Sequence, residues 1–108
     1  MYFFDLDRVP RKTLVQGVHI KAVYGEKIMM SFVDLEAGAV IPSHHHEHEQ
    51  MGYVITGELE LQIGDETQVC HAGDSYLAPA NVPHAVTVSD AGPARVLDIF
   101  SPPREEYK

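Results

Sequence analysis

The sequence predicts an all-β chain folded as a double-sheet jelly roll, a barrel made from two antiparallel sheets. Three observations carry that prediction. Almost every apolar segment has the length of a strand and is too short for an ordinary helix. Each is closed by Gly, Asp or Pro, the residues that punctuate strands. Away from the two ends, no window repeats with the period of a helix.

The segments run in order as follows. Val18–Tyr24 stops at Gly25-Glu26. Ile28–Leu35 is apolar on both faces for much of its length and stops at Glu36-Ala37-Gly38. One of its faces should pack the core, and the other should meet a second sheet or a second subunit. Met51–Thr56 stops at Gly57; alternation groups Met51, Tyr53 and Ile55 on one face, which is expected to look into the lumen. In Glu58–Ile63 the leucines and Ile63 should point inward and the polar residues outward. Ile63-Gly64-Asp65-Glu66-Thr67 reads as a hairpin leading into Thr67–His71. Tyr76–Pro79 follows. His84–Ser89 places His84 on one face with Val86 and Val88, and Arg95–Phe100 places Asp98 on one face with Val96 and Phe100.

The 108 residues suffice for one domain and a modest core. The expected organisation is a single domain over 1–108, with its motif-bearing part at about 28–100 and a flanking strand and tail. Eight Lys and Arg against sixteen Asp and Glu leave a net charge of −8, which argues against nucleic acid and against an anionic membrane surface. One local Arg can still hold an anion. The single cysteine, Cys70, excludes an internal disulfide framework and fits a reducing, cytoplasmic location. No apolar run approaches the ~20 residues of a membrane helix, and the start of the chain lacks the pattern of a signal peptide. The two-sided apolar strand Ile28–Val33 exceeds the needs of one small barrel, so a homodimer is expected.

His44, His46, His48 and Gln50, with His84 far downstream, are the residues that point to chemistry. Residues two apart on a strand share a face, so His44 and His46 should converge while His45 faces away. Imidazole suits divalent transition metals, and an amide oxygen makes the set harder. A third His from a distant strand closes a shell that keeps open positions, the mark of a catalytic metal. His48 reads as a supporting residue, and Glu49 is the other possible oxygen donor.

The spacing is specific. Gly38, His44, His46, Gln50 and Gly57 are separated by five, one, three and six residues; Gly73, Pro79, Asn81 and His84 by five, one and two. Both runs are similar to the two motifs of the cupin family, with Gln50 in place of the usual Glu, Asn81 in place of the usual Gly, and Val88 where Asn is frequent. Asn is the non-glycine residue that most readily takes positive φ at a turn. The resemblance implies a cupin barrel and one divalent metal ion (Zn, Ni, Mn or Fe) on His44, His46, Gln50 and His84. A neutral Gln leaves that metal one charge more positive than Glu would, favouring Lewis acidity over high oxidation states.

The local wording narrows this further. His44–Gln50, Gly52-Tyr53-Val54-Ile55-Thr56-Gly57-Glu58, Pro79–His84 and Asp98–Glu105 resemble the small cupins of pectin and alginate degradation. That resemblance implies conversion of a cyclic 4,5-unsaturated uronate to the linear 5-keto-4-deoxyuronate, a small sugar-acid substrate, and functional roles for Asp98, Phe100 and Arg104. The residues add independent weight. A carboxylate on an apolar face costs several kcal/mol unless paired or protonated, and such groups concentrate at functional sites. Arg104 follows the stiff segment Ser101-Pro102-Pro103, which limits its swing. A rim salt bridge for Asp98 and a solvated tail for Arg104 are the plainer alternatives. A metal-dependent dioxygenase, a non-catalytic sugar- or metabolite-binding module and a sugar-phosphate isomerase are the rival functions.

Overall fold

The computed structural model describes residues 2–108. Among them are ten strands: β1 (Lys12–Val15), β2 (Val18–Tyr24), β3 (Met29–Leu35), β4 (Val40–His44), β5 (Glu49–Thr56), β6 (Glu58–Ile63), β7 (Glu66–His71), β8 (Ser75–Ala78), β9 (His84–Val88) and β10 (Ala94–Ser101). Short 3-10 turns lie at Leu6–Arg8 and Glu105–Tyr107. Among the described residues no helix is long and apolar enough to cross a membrane.

The strands form two antiparallel sheets. One runs β1-β2-β3-β10-β5-β8 and the other β4-β9-β6-β7. The hairpin expected at Gly64-Asp65 pairs Ile63 with Glu66. Gly57 is the corner where the chain leaves the first sheet for the second. It sits at φ 89°, and a Cβ there would lie 2.5 Å from the Pro93 carbonyl and 2.6 Å from Ala94 Cα, so only glycine fits.

The two inner faces meet in an apolar core that includes Val18, Ile20, Val33, Leu35, Val54, Leu59, Leu61 and Val96. Leu59 and Leu61 point inward as expected, and Ile20, Leu59 and Phe100 are among the largest fully buried side chains. Burying each removes apolar surface worth roughly 1.5–3 kcal/mol from water.

Three expectations are corrected. Strands β1 and β4 were not visible in the apolar pattern, because β1 is largely exposed and β4 carries Pro42 and Ser43. His44 ends β4, and His46 lies in the following loop, so strand alternation is not what brings the two together. Tyr53 does not face the lumen. On β5 the inward residues are Gln50, Gly52 and Val54, while Met51 and Tyr53 stand outward at 53% and 48% exposure.

The outer face of the six-stranded sheet therefore carries an apolar patch, flanked by Lys21, Asp34, Arg95 and Glu49. Val23, Met30, Ile99, Met51 and Leu77 follow one another across β2, β3, β10, β5 and β8. Phe32, Leu97 and Tyr53 form the adjoining row.

Candidate metal centre and cavity

His44 and His84 are cross-strand partners on β4 and β9, with ring centroids 4.3 Å apart. His46 arrives from the loop. The backbone N–H of Asn81 donates to the His46 carbonyl at 2.7 Å, so the turn before β9 holds the loop after β4. Asn81 adopts φ 65°, the left-handed conformation that its residue type allows. The ligand-capable atoms of His44, His46 and His84 all lie within 4.8 Å of one another.

The ring orientations have a common cause. His44 Nδ1 is 3.0 Å from the Pro42 carbonyl, His46 Nδ1 3.0 Å from that of His48, and His84 Nδ1 3.0 Å from that of Val82. A carbonyl only accepts, so each Nδ1 is the protonated nitrogen and each Nε2 is left with a free lone pair. This is how metal-binding histidines are oriented by their surroundings.

Two further observations fit a cation. His84 Nε2 is buried and has no hydrogen-bond partner among the described residues. His46 Nε2 lies 3.1 Å from Gln50 Oε1, so two acceptors face each other. Burial pushes the His46 imidazole down to about 4, with the Arg104 and His84 charges adding to it. Burial also lowers His84. Both rings thus stay neutral, the form that ligates. Glu49, the alternative oxygen donor, is exposed on β5, whereas Gln50 is buried beside His46. His48 is half-buried, its ring centroid 5.4 Å from that of His46.

The cluster opens on a cavity of about 380 Å³, within the size range of small-molecule sites. Its walls are mostly apolar, and they include Gln50, Asp98, Phe100 and Arg104. Asp98 lies on the inward face of β10 between Val96 and Phe100. Burial raises its carboxyl to about 6, opposed by hydrogen bonding from Tyr76, by the Gln50 amide and by the Arg104 charge. Tyr76 Oη donates to Asp98 Oδ1 at 2.7 Å.

Arg104 is no solvated tail residue: its side chain is 15% exposed. Its Nε donates to Glu106 Oε1 at 2.7 Å and its Nη1 to Tyr107 Oη at 3.0 Å. The guanidinium stacks 4.4 Å from the Tyr107 ring centre and 5.4 Å from that of Phe100. Phe100 in turn meets His46 edge-on at 5.8 Å. Tyr76, Glu106 and Tyr107 were not singled out in the sequence. No motif carries them, and Tyr76 reaches Asp98 only through sheet pairing.

Comparison with known proteins gives a consistent picture. The cupin domain family matches residues 31–100. The pectin degradation protein KdgF of Dickeya dadantii is 33% identical over 108 residues, covering 98% of this chain and 96% of that protein. Among solved structures, KdgF from a Halomonas species superposes with a TM-score of 0.90 at 29% identity, covering 100% of this chain and 99% of that one. An RmlC-like cupin from Shewanella frigidimarina does so with a TM-score of 0.91 at 25% identity, covering 100% and 96%.

Proposed function

This chain belongs to the cupin family, and from that premise we propose that it is a metal-dependent enzyme that opens a 4,5-unsaturated uronate to the linear 5-keto-4-deoxyuronate. The observation that carries the reading is the meeting, in one cavity, of a bare-nitrogen histidine cluster, a half-buried inward-facing carboxyl and a stacked arginine. The likeness to two KdgF proteins, one of them a pectin degradation protein by name, supports the same substrate class.

His44, His46, His84 and Gln50 would hold one divalent metal ion. Such an ion supplies Lewis acidity toward an oxygen on which negative charge develops. Arg104, held by Glu106 and Tyr107, still has guanidinium N–H groups to bind the substrate carboxylate. Phe100 gives the sugar ring an apolar wall. Asp98, with a carboxyl near the middle of the pH range, moves the protons.

The reaction balances without water or redox change. The anomeric hydroxyl loses its proton, the C1=O bond forms and the C1–ring-oxygen bond breaks. The released oxygen takes a proton to give an enol at C5. The enol oxygen then loses its proton as C5=O forms, and the C4=C5 electron pair takes a proton at C4, giving an isomer of the starting sugar. One carboxyl that accepts from oxygen and returns the proton to carbon suffices for this sequence.

The test is direct. The conjugated C4=C5 bond absorbs in the ultraviolet, and its loss should be faster with metal-loaded protein than with chelator-treated protein or buffer. Equal rates in all three would overturn the reading. We also propose that the protein works as a homodimer joined through the apolar patch on the outer face of the six-stranded sheet, which leaves the cavity free in each copy.

A further inference from the structure

Tyr76 lies on β8, two strands away from Asp98 on β10, with β5 between them. The residues in register across this part of the sheet are Ser31, Asp98, Gly52 and Tyr76, all on the inner face. Adjacent strands are about 4.8 Å apart, so a tyrosine two strands away reaches Asp98 only if nothing stands between them. Gly52 meets that condition. A Cβ there would lie 2.0 Å from Tyr76 Cζ and 2.3 Å from its hydroxyl oxygen, far inside any real contact. The ring therefore occupies the place of a missing side chain, and its phenol reaches Asp98 Oδ1 at 2.7 Å.

On the other side of Asp98, Ser31 is fully buried, and its hydroxyl makes no hydrogen bond among the described residues. It does not compete for the carboxyl. The terminal torsion of an aspartate is broad, so its hydrogen bonds decide which oxygen faces where. Tyr76 supplies the bond at 2.7 Å, with the Gln50 amide and the Arg104 charge also acting on the carboxyl.

We propose that Tyr76 is a positioning residue for Asp98, admitted by Gly52: it commits Oδ1 and so presents the other carboxyl oxygen to the histidine cluster and the substrate. The inference rests on the reading of Asp98 as the proton carrier. It adds that the rate depends on a phenol in the cavity wall that acts through the carboxyl it holds. It also makes the pair Gly52 and Tyr76 one functional unit.

The experiment compares wild type, Tyr76→Phe, Asp98→Asn and the double variant on unsaturated uronate, with metal content measured in each. Tyr76→Phe keeps the ring and removes only the hydroxyl. It should lower kcat by about 10- to 100-fold, the usual cost of a small misplacement, with KM and metal content unchanged. The double variant should be no slower than Asp98→Asn alone, because Tyr76 acts through Asp98. A wild-type kcat in Tyr76→Phe, a rise confined to KM, or an equal further loss in the Asp98→Asn background would each overturn the proposal. Crystal structures of wild type and Tyr76→Phe give a readout independent of activity. The Asp98 carboxyl should be rotated in the variant, and an unchanged carboxyl would overturn the proposal. If the wild type proves inert toward uronates, the functional reading falls, and the carboxyl orientation still decides this one.

Discussion

His46 Nε2 and Gln50 Oε1 face each other at 3.1 Å, each with a lone pair, because His46 Nδ1 is committed to the His48 carbonyl. Two acceptors at that distance repel, and a cation between them turns repulsion into coordination. Binding of a metal should therefore raise the melting temperature, and chelation should lower it, in proportion to RT ln(1 + [metal]/Kd). His84→Ala should lose the metal while keeping its β-rich circular dichroism spectrum. A full equivalent of metal in dialysed His84→Ala would show that the ligand set is wrong.

Gln50→Glu places a carboxylate between the histidine cluster and Asp98. It should keep the metal, because an anionic oxygen is the stronger ligand for a divalent ion. It should also slow the reaction at least about tenfold, a barrier change of ~1.4 kcal/mol, since the metal loses a unit of positive charge and Asp98 gains an anionic neighbour. Faster turnover in this variant would count against non-redox Lewis-acid chemistry.

Asp98→Asn is nearly isosteric and should retain metal and fold while losing roughly 10²–10⁴-fold in rate, the worth of a positioned proton carrier. Arg104→Lys keeps the charge and loses the planar fork, so KM should rise more than kcat falls. Wild-type steady-state kinetics in both variants would leave the metal centre standing and remove the uronate mechanism.

The metal-free protein should become less stable on acidification, in part through His46. Its folded pKa of about 4 lies below the ordinary 6.5, so between these values the unfolded chain binds more protons. Stability therefore rises with pH through this window. Asp98, raised to about 6 from 3.8, works in the opposite direction over much of the same range. In urea titrations of chelator-treated protein, the wild type should gain stability relative to His46→Asn as the pH rises from about 4 to 6.5. Parallel curves would mean that His46 titrates normally in the folded state.

Met51 and Leu97 lie in the apolar patch of the outer face, where Met51 pairs with Ile99 and Leu97 with Tyr53 across β5 and β10. A charge there should break a dimer formed through this face. Light scattering should report a dimer for the wild type and a monomer for Met51→Lys with its metal content intact. A wild-type monomer at micromolar concentration would refute the assembly.

Local rules made much of this protein legible from its residues. Strand lengths and turn residues marked the β-rich architecture, and Gly64-Asp65 marked its hairpin. The spacing of His44, His46, Gln50 and His84 marked the ligand candidates, and period-two alternation put Asp98 on the face of Val96 and Phe100. Such properties depend on neighbours a few residues away, and the chain carries them before it folds. Which face of β5 is inside does not have that character. Met51, Tyr53 and Ile55 are the more apolar set, yet Gln50, Gly52 and Val54 face the lumen, where Gln50 lies beside His46 and Gly52 leaves the room that the Tyr76 ring fills. Alternation separates two faces without naming the inner one; packing decides that. The loop that delivers His46, held by Asn81 from the turn before β9, and the path of Tyr76 over Gly52 to Asp98 likewise arise only when the sheets are assembled. Each joins residues distant in sequence, so the tertiary structure alone determines it.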